Sequence, residues 1–165
     1  MEIIENTIEK KELYELMCLQ LQALIEPELP LVTNLSNASA LINEALKQIN
    51  WAGFYLLNED QLILGPFQGK VACVKIRLGQ GVCGIAAKEA RTQLVDDVHK
   101  FSGHIPCDSA SNSEVVVPIQ FQGKTVGVLD IDSPEFSRFD SQDQKGLEAV
   151  VHILENQCNW SMQIV

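Results

Sequence analysis

EVVVPIQF and TVGVLDID, running from Glu114 to Asp132, are two strand-length apolar segments separated only by the turn tripeptide QGK. So short a connection can join only antiparallel neighbours, because a parallel pair needs a crossover of a dozen or more residues. The pair therefore predicts a hairpin and commits the chain to an antiparallel sheet. Three more β-type runs precede it: NWAGFYLL, QLILGPF and VACVKIRL, parted by the turn residues NED and QGK. TQLVDD adds a short strand, and GVCGIAAKEAR between the last two reads as a short helix.

The ends of the chain carry a different period. Leu13, Leu16, Met17, Leu21 and Leu24 recur at helical spacing until EPELP breaks the pattern at Pro27 and Pro30. A second helix is expected from a cap at Thr33 or Asn34, burying Ala38, Leu41, Ile42, Ala45 and Ile49. The last helix is expected near Asp140 or Ser141, where S-x-x-Q has the form of a capping box. Its apolar face would be Leu147, Val150, Val151 and Leu154. Helices at both ends of a strand-rich middle make an α+β fold, with a mostly antiparallel sheet of about six strands. The terminal helices would cover one face of the sheet, leaving the other for a pocket under loops. The 165 residues fit a single domain spanning positions 1–165, without repeats or an interdomain linker.

A formal charge of −10 argues against nucleic acid or an anionic membrane as the main partner, since both select basic surfaces. No apolar run has transmembrane length, and MEIIENTIEKKE is too acidic and polar for a signal peptide, so a cytoplasmic location is expected. In a reducing compartment the five cysteines are not a structural disulfide framework. Cys18 and Cys158 sit in helical patterns and read as packing residues. Cys73 lies in the strand-like VACVKI, where packing and chemistry are equally compatible with the pattern. Cys83 opens a short helix, a position that lowers a thiol pKa. Cys107 stands in HIPCDSASNSE, a polar loop with only Ile105 and Pro106 as apolar neighbours, where a core role fits least.

A zinc site built from Cys73, Cys83 and Cys107 with His104 lacks the close ligand pairs that tetrahedral sites use. A cysteine–histidine hydrolase pair with His99, His104 or His152 has only residue type behind it. LGQGVCG satisfies G-x-G-x-x-G through Gly79, Gly81 and Gly84, but the helix that follows is too short for a dinucleotide unit. The glycines read instead as a tight turn. The acids carry more information. Asp130 and Asp132 are two apart on a strand and share a face, and Glu114 enters its strand from the loop end. Trp51 and Tyr55, four apart, also share a face and can form an aromatic wall.

The segments NWAGFYLL, LGPFQGKVACVKIRLGQGVCGIAA, HIPCDSASNSEVVVPI and GVLDIDSP, spread over nearly the whole chain, resemble the free methionine-(R)-sulfoxide reductases. These are single GAF-type domains, and the spacing of Cys73, Cys83 and Cys107 matches theirs. The resemblance implies reduction of free L-methionine-(R)-sulfoxide to methionine, with Cys107 as the thiolate that attacks sulfur. Glu114, sharing a proton with Asp132, would be the acid that protonates the leaving oxygen. Asp130 would receive the substrate ammonium, and Trp51 and Tyr55 would pack on its methyl and sulfur. Backbone amides in the Ile105–Cys107 loop, which turns through Pro106, would hold its carboxylate. The sulfenic acid left on Cys107 would condense with Cys73, or with Cys83 as alternative or relay. An external dithiol of the thioredoxin type would reduce the disulfide, with no bound cofactor or metal, in a homodimer. Two other functions stand beside it: a GAF-type sensor of a small ligand, and a thiol redox sensor without turnover.

Overall fold

The computed structural model describes residues 8–104 and 109–161. Two helices open the chain, α1 (Lys10–Leu24) and α2 (Leu31–Ala45). Strands β1 (Trp51–Asn58), β2 (Gln61–Gly69) and β3 (Lys75–Arg77) follow, then helix α3 (Gly81–Glu89) and strand β4 (Gln93–Val95). The hairpin β5 (Ser113–Phe121) and β6 (Lys124–Ser133) precedes the closing helix α4 (Ser141–Gln157). The expected α+β architecture is the observed one. The strands form one six-stranded sheet in the order β3-β2-β1-β6-β5-β4, with every neighbouring pair antiparallel. At the tip of the β5–β6 hairpin Gln122 and Gly123 both take positive φ, as the favoured two-residue hairpin turn demands.

Strand alternation gives the sheet two buried faces of different character. Ala52, Phe54 and Leu56 of β1, Leu129 and Ile131 of β6, and Val115, Val117 and Ile119 of β5 face one way. They pack with Met17 and Leu21 of α1, Leu35 and Ile42 of α2, and Leu147 and Leu154 of α4. Trp51, Tyr55, Val116 and Val128 face the other way, against Val82 and Ala86 of α3, with Ile76 and Val98. The terminal helices thus share one face, and the opposite face is only partly roofed by α3.

Two helix starts differ from the sequence pattern. α2 begins at Leu31 with Pro30 as its N-cap, three or four residues before the expected cap at Thr33 or Asn34. Proline's fixed φ suits a helix entry, where its missing N–H costs no hydrogen bond. Asn34 is committed elsewhere: its side-chain amide donates to the Glu26 carbonyl at 2.9 Å, and its oxygen accepts from the Glu26 amide at 2.9 Å. It therefore fastens the α1–α2 connection. At α4 the capping box runs from Asp140 to Asp143, one residue earlier than S-x-x-Q. Asp143, fully buried, also accepts from the Tyr14 hydroxyl at 2.8 Å and from Lys10 Nζ at 2.7 Å. A carboxylate at this position joins α1 to α4 as well as capping it, which glutamine cannot do.

Candidate active site

Cross-strand register builds the site. Trp51, Asp132 and Glu114 lie in one row across β1, β6 and β5. Gly53, Asp130 and Val116 form the next row on the same face. Directly opposed side chains in such rows have Cβ atoms about 5 Å apart, so three carboxylates converge. Gly53 is required here, since a Cβ would lie 2.3 Å from that of Phe67. Phe67 uses the space to stack on Trp51, with ring centroids 5.1 Å apart, and Trp51 stacks in turn on Tyr55 at 5.9 Å. The expected aromatic wall is present, with Phe67 as a member that the sequence did not reveal.

α3 crosses above these rows and lowers Cys83 onto them. Its Sγ lies 3.9 Å from Glu114 Oε1, and ligand-type atoms of Cys83, Glu114 and Asp130 all lie within 4.8 Å of one another. Cys83, Glu114 and Asp130 are 4%, 6% and 6% exposed, so all three are cut off from bulk water. Asp130 Oδ1 is buried and has no hydrogen-bond partner among the described residues.

Burial and mutual repulsion set the proton inventory. Burial, then the charges of Asp130 and Asp132, push the Glu114 carboxyl well above its ordinary range. Asp130 is raised by burial to about 6, with hydrogen bonds from Glu114 and Cys83 opposing the rise. Two carboxyls in hydrogen-bond contact cannot both ionise cheaply, so the pair holds a proton between them. The hydrogen-bonded partner is Asp130, diagonal to Glu114, in addition to the Asp132 that the family resemblance implied. For Cys83 the helix-terminus expectation fails. Its thiol is pushed well above the ordinary value, first by burial and then by Asp130, Glu114 and Asp132. Neighbouring negative charge and lost hydration outweigh an effect that is worth about 1 kcal/mol at a helix end.

The segment between β2 and β3 borders the same space. Tyr55 donates its hydroxyl to the Cys73 carbonyl at 2.9 Å, and Trp51 Nε1 donates to the Lys70 carbonyl at 3.1 Å. The aromatic wall therefore also fixes the backbone that carries Cys73. Cys73 lies outside the short strand β3 and takes part in a disulfide, whereas Cys18, Cys83 and Cys158 are free thiols. A disulfide sulfur cannot serve as a thiolate ligand, so the cysteine-based zinc arrangement does not fit this state. Residues 105–108, and with them Ile105, Pro106 and Cys107, lie outside the described residues.

Trp51, Tyr55, Cys83, Glu114, Asp130 and Asp132 line one cavity of about 50 Å³, with room for a few waters. Three further lining residues carried no sequence signal for this role. Gln80 precedes α3, Ser111 accepts from the Asn50 amide at 3.1 Å, and the His104 imidazole is pushed below its ordinary value by burial and by His99. No lysine or arginine is among the described lining residues. The G-x-G-x-x-G run resolves as the turn into α3, with Gly79 and Gly81 at positive φ.

The model of the GAF domain family matches residues 34–156. A free methionine-R-sulfoxide reductase of Escherichia coli strain K12 is 51% identical over 146 residues, covering 88% of this chain and 88% of the relative. The fRMsr of Staphylococcus aureus, solved in its reduced form, superposes with a TM-score of 0.84 at 57% identity, covering 87% of this chain and 94% of that one. The free methionine-R-sulfoxide reductase of Neisseria meningitidis, solved in complex with its substrate, superposes with a TM-score of 0.88 at 40% identity, covering 92% of both chains. The chain belongs to the free methionine-R-sulfoxide reductase family, a group of oxidoreductases built on the GAF domain.

Proposed function

We propose that this chain, acting as a single GAF-like domain, reduces free L-methionine-(R)-sulfoxide to methionine. The observation that carries the proposal is the buried acid cluster facing Trp51: a proton-holding Glu114 beside Asp130, whose second oxygen has no partner among the described residues. A sulfoxide oxygen leaves only when protonated, and a buried carboxylic acid supplies that proton near neutral pH. An unpartnered buried carboxylate oxygen is costly until a cation or donor meets it, and a substrate ammonium does so. Methionine within a peptide lacks that ammonium, which restricts the substrate to the free amino acid.

Cys107 is the attacking thiolate in this mechanism. Its sulfur attacks the sulfoxide sulfur while Glu114, aided by Asp130 and Asp132, delivers a proton to the oxygen. The oxygen ends on Cys107 as a sulfenic acid and methionine leaves, so the substrate is reduced by two electrons and the cysteine oxidised by two. The Cys73 thiol then displaces the sulfenic hydroxyl as water and forms a disulfide. That Cys73 is disulfide-bonded while Cys18, Cys83 and Cys158 are free supports Cys73 over Cys83 as the resolving residue. A thioredoxin-type dithiol reduces the disulfide and is itself oxidised. Trp51 and Tyr55 pack on the substrate methyl, and the backbone N–H groups of Ile105 and Cys107, on either side of Pro106, receive its carboxylate. We further propose a cytoplasmic homodimer that needs no bound cofactor. No helix among the described residues is long and apolar enough to cross a membrane.

The deciding assay supplies the R and S epimers of free methionine sulfoxide separately, with a dithiol, and measures methionine. Turnover of the R epimer alone is expected; equal turnover of the S epimer or of peptide-bound sulfoxide refutes the specificity. Cys107→Ser should release no methionine even in one turnover, whereas Cys73→Ser should release one equivalent and stop.

A further inference from the structure

We propose that Cys83, Glu114 and Asp130 form a binding site for a thiophilic divalent cation of the zinc class, acquired from solution in competition with the amino-acid ammonium. The donor set is one sulfur and two carboxylate oxygens, a combination that zinc accepts and that magnesium or calcium does not select. The three ligand atoms lie within 4.8 Å of one another, and Sγ of Cys83 is 3.9 Å from Oε1 of Glu114. Bonds of about 2.0–2.3 Å in tetrahedral geometry hold ligand atoms roughly 3.5 Å apart, so modest side-chain rotations close the site.

A second observation points to a missing ligand at the same place. Asp130 is 6% exposed, lines the cavity, and its Oδ1 has no hydrogen-bond partner among the described residues. The lining supplies no lysine or arginine among the described residues to neutralise the acids. A divalent ion would bring two positive charges into this dry cluster, and its fourth position would face the cavity, open to water. Binding replaces the thiol proton of Cys83 and the proton shared by Glu114 and Asp130, and both pass to solvent, because the metal holds the thiol as thiolate and both carboxyls as carboxylates. No electron transfer is involved. The metal site stands on the geometry of the three residues; the competition with substrate rests on the reductase proposal.

Cobalt(II) tests this directly, as a spectroscopic stand-in for zinc. The disulfide-bonded protein is titrated with Co²⁺, so that Cys73 offers no thiolate. The expected signature is a near-ultraviolet thiolate-to-cobalt charge-transfer band with visible bands of tetrahedral cobalt, both erased by added Zn²⁺. Cys83→Ser should lose the charge-transfer band. Asp130→Asn and Glu114→Gln, which keep the thiol and are checked for folding by circular dichroism, should each weaken Co²⁺ binding by about tenfold or more, the loss typical even of an outer-shell partner. Absence of the band in the unmodified protein, its survival in Cys83→Ser, or unchanged affinity in both carboxylate variants overturns the site. Free methionine-(R)-sulfoxide should displace the cobalt signal. A cobalt band in a protein that shows no sulfoxide turnover sinks the reductase proposal and leaves the metal site standing. Turnover without any band does the reverse.

Discussion

Glu114 is where position and chemistry meet in one side chain. It enters at the loop end of β5, is 6% exposed, and contacts both a thiol and a carboxyl. Glu114→Gln preserves shape but removes the transferable proton. The chemical step, read as methionine formed in a single turnover, should fall by roughly 10²–10⁴-fold, the usual worth of a general acid. Alkylation of the thiols by a small reagent should be unchanged. Stability carries the same signature. Asp130, raised to about 6, and Glu114, raised further, bind protons more tightly folded than unfolded, where carboxyls titrate near about 4. Their contribution is fully present below that unfolded value and is lost as pH rises through the folded values. Folding free energy from urea titrations should therefore decline as pH rises above about 4 and through about 6, and Asp130→Asn should flatten that decline. Asp140 has the opposite sign. The Lys10 hydrogen bond holds it down to about 2, so its contribution is lost only in stronger acid, outside that window.

Among the elements, β1 has two tasks, because alternation splits its residues between the helix-covered core and the site. On the site side Tyr55 is both wall and anchor. Tyr55→Phe keeps the stacking on Trp51 but removes the hydroxyl that holds the Cys73 carbonyl at 2.9 Å. A stability loss of about 0.5–1.5 kcal/mol is expected in denaturant unfolding. Methionine release in the first turnover should be retained. Steady-state turnover should drop, because a looser Cys73 segment closes its disulfide more slowly. Full steady-state rate in this variant would show that the anchor does not serve the resolving step. α3 is the second element that decides the site, since its crossing brings Cys83 over the acids and turns a thiol expected to be acidic into a protonated hydrogen-bond donor.

Across the whole molecule, stability and chemistry occupy opposite faces of one sheet. The helix-covered face holds Leu147 fully buried, in the same core cluster as Ile119 and Leu129 of the sheet and Met17 and Leu21 of α1. Leu147→Ala should cost about 2–5 kcal/mol in unfolding experiments. Its kcat and KM, measured well below the unfolding transition, should match those of the unmodified protein. A changed KM would mean that the two faces are coupled through the sheet.

The division between chain and fold follows from how far each physical rule reaches. Period-two and period-3.6 patterns act over neighbouring residues, so the hairpin, the face of α4, and the common side of Asp130 and Asp132 were legible in the sequence. So was the turn through Gly79 and Gly81. α1, by contrast, buries Tyr14 with Met17 and Leu21 and leaves the expected Leu16 and Leu24 exposed. The α4 cap was legible to within one residue and the α2 cap only to within three or four, since Asn34 and Asp143 are drawn to partners outside their own helices. The diagonal contact of Glu114 with Asp130, the raised thiol of Cys83 and the stacking of Phe67 on Trp51 belong to the tertiary structure alone. Register and the path of α3 bring those groups together from distant positions. Burial then sets their protonation, and a single chain in extended order carries no record of it.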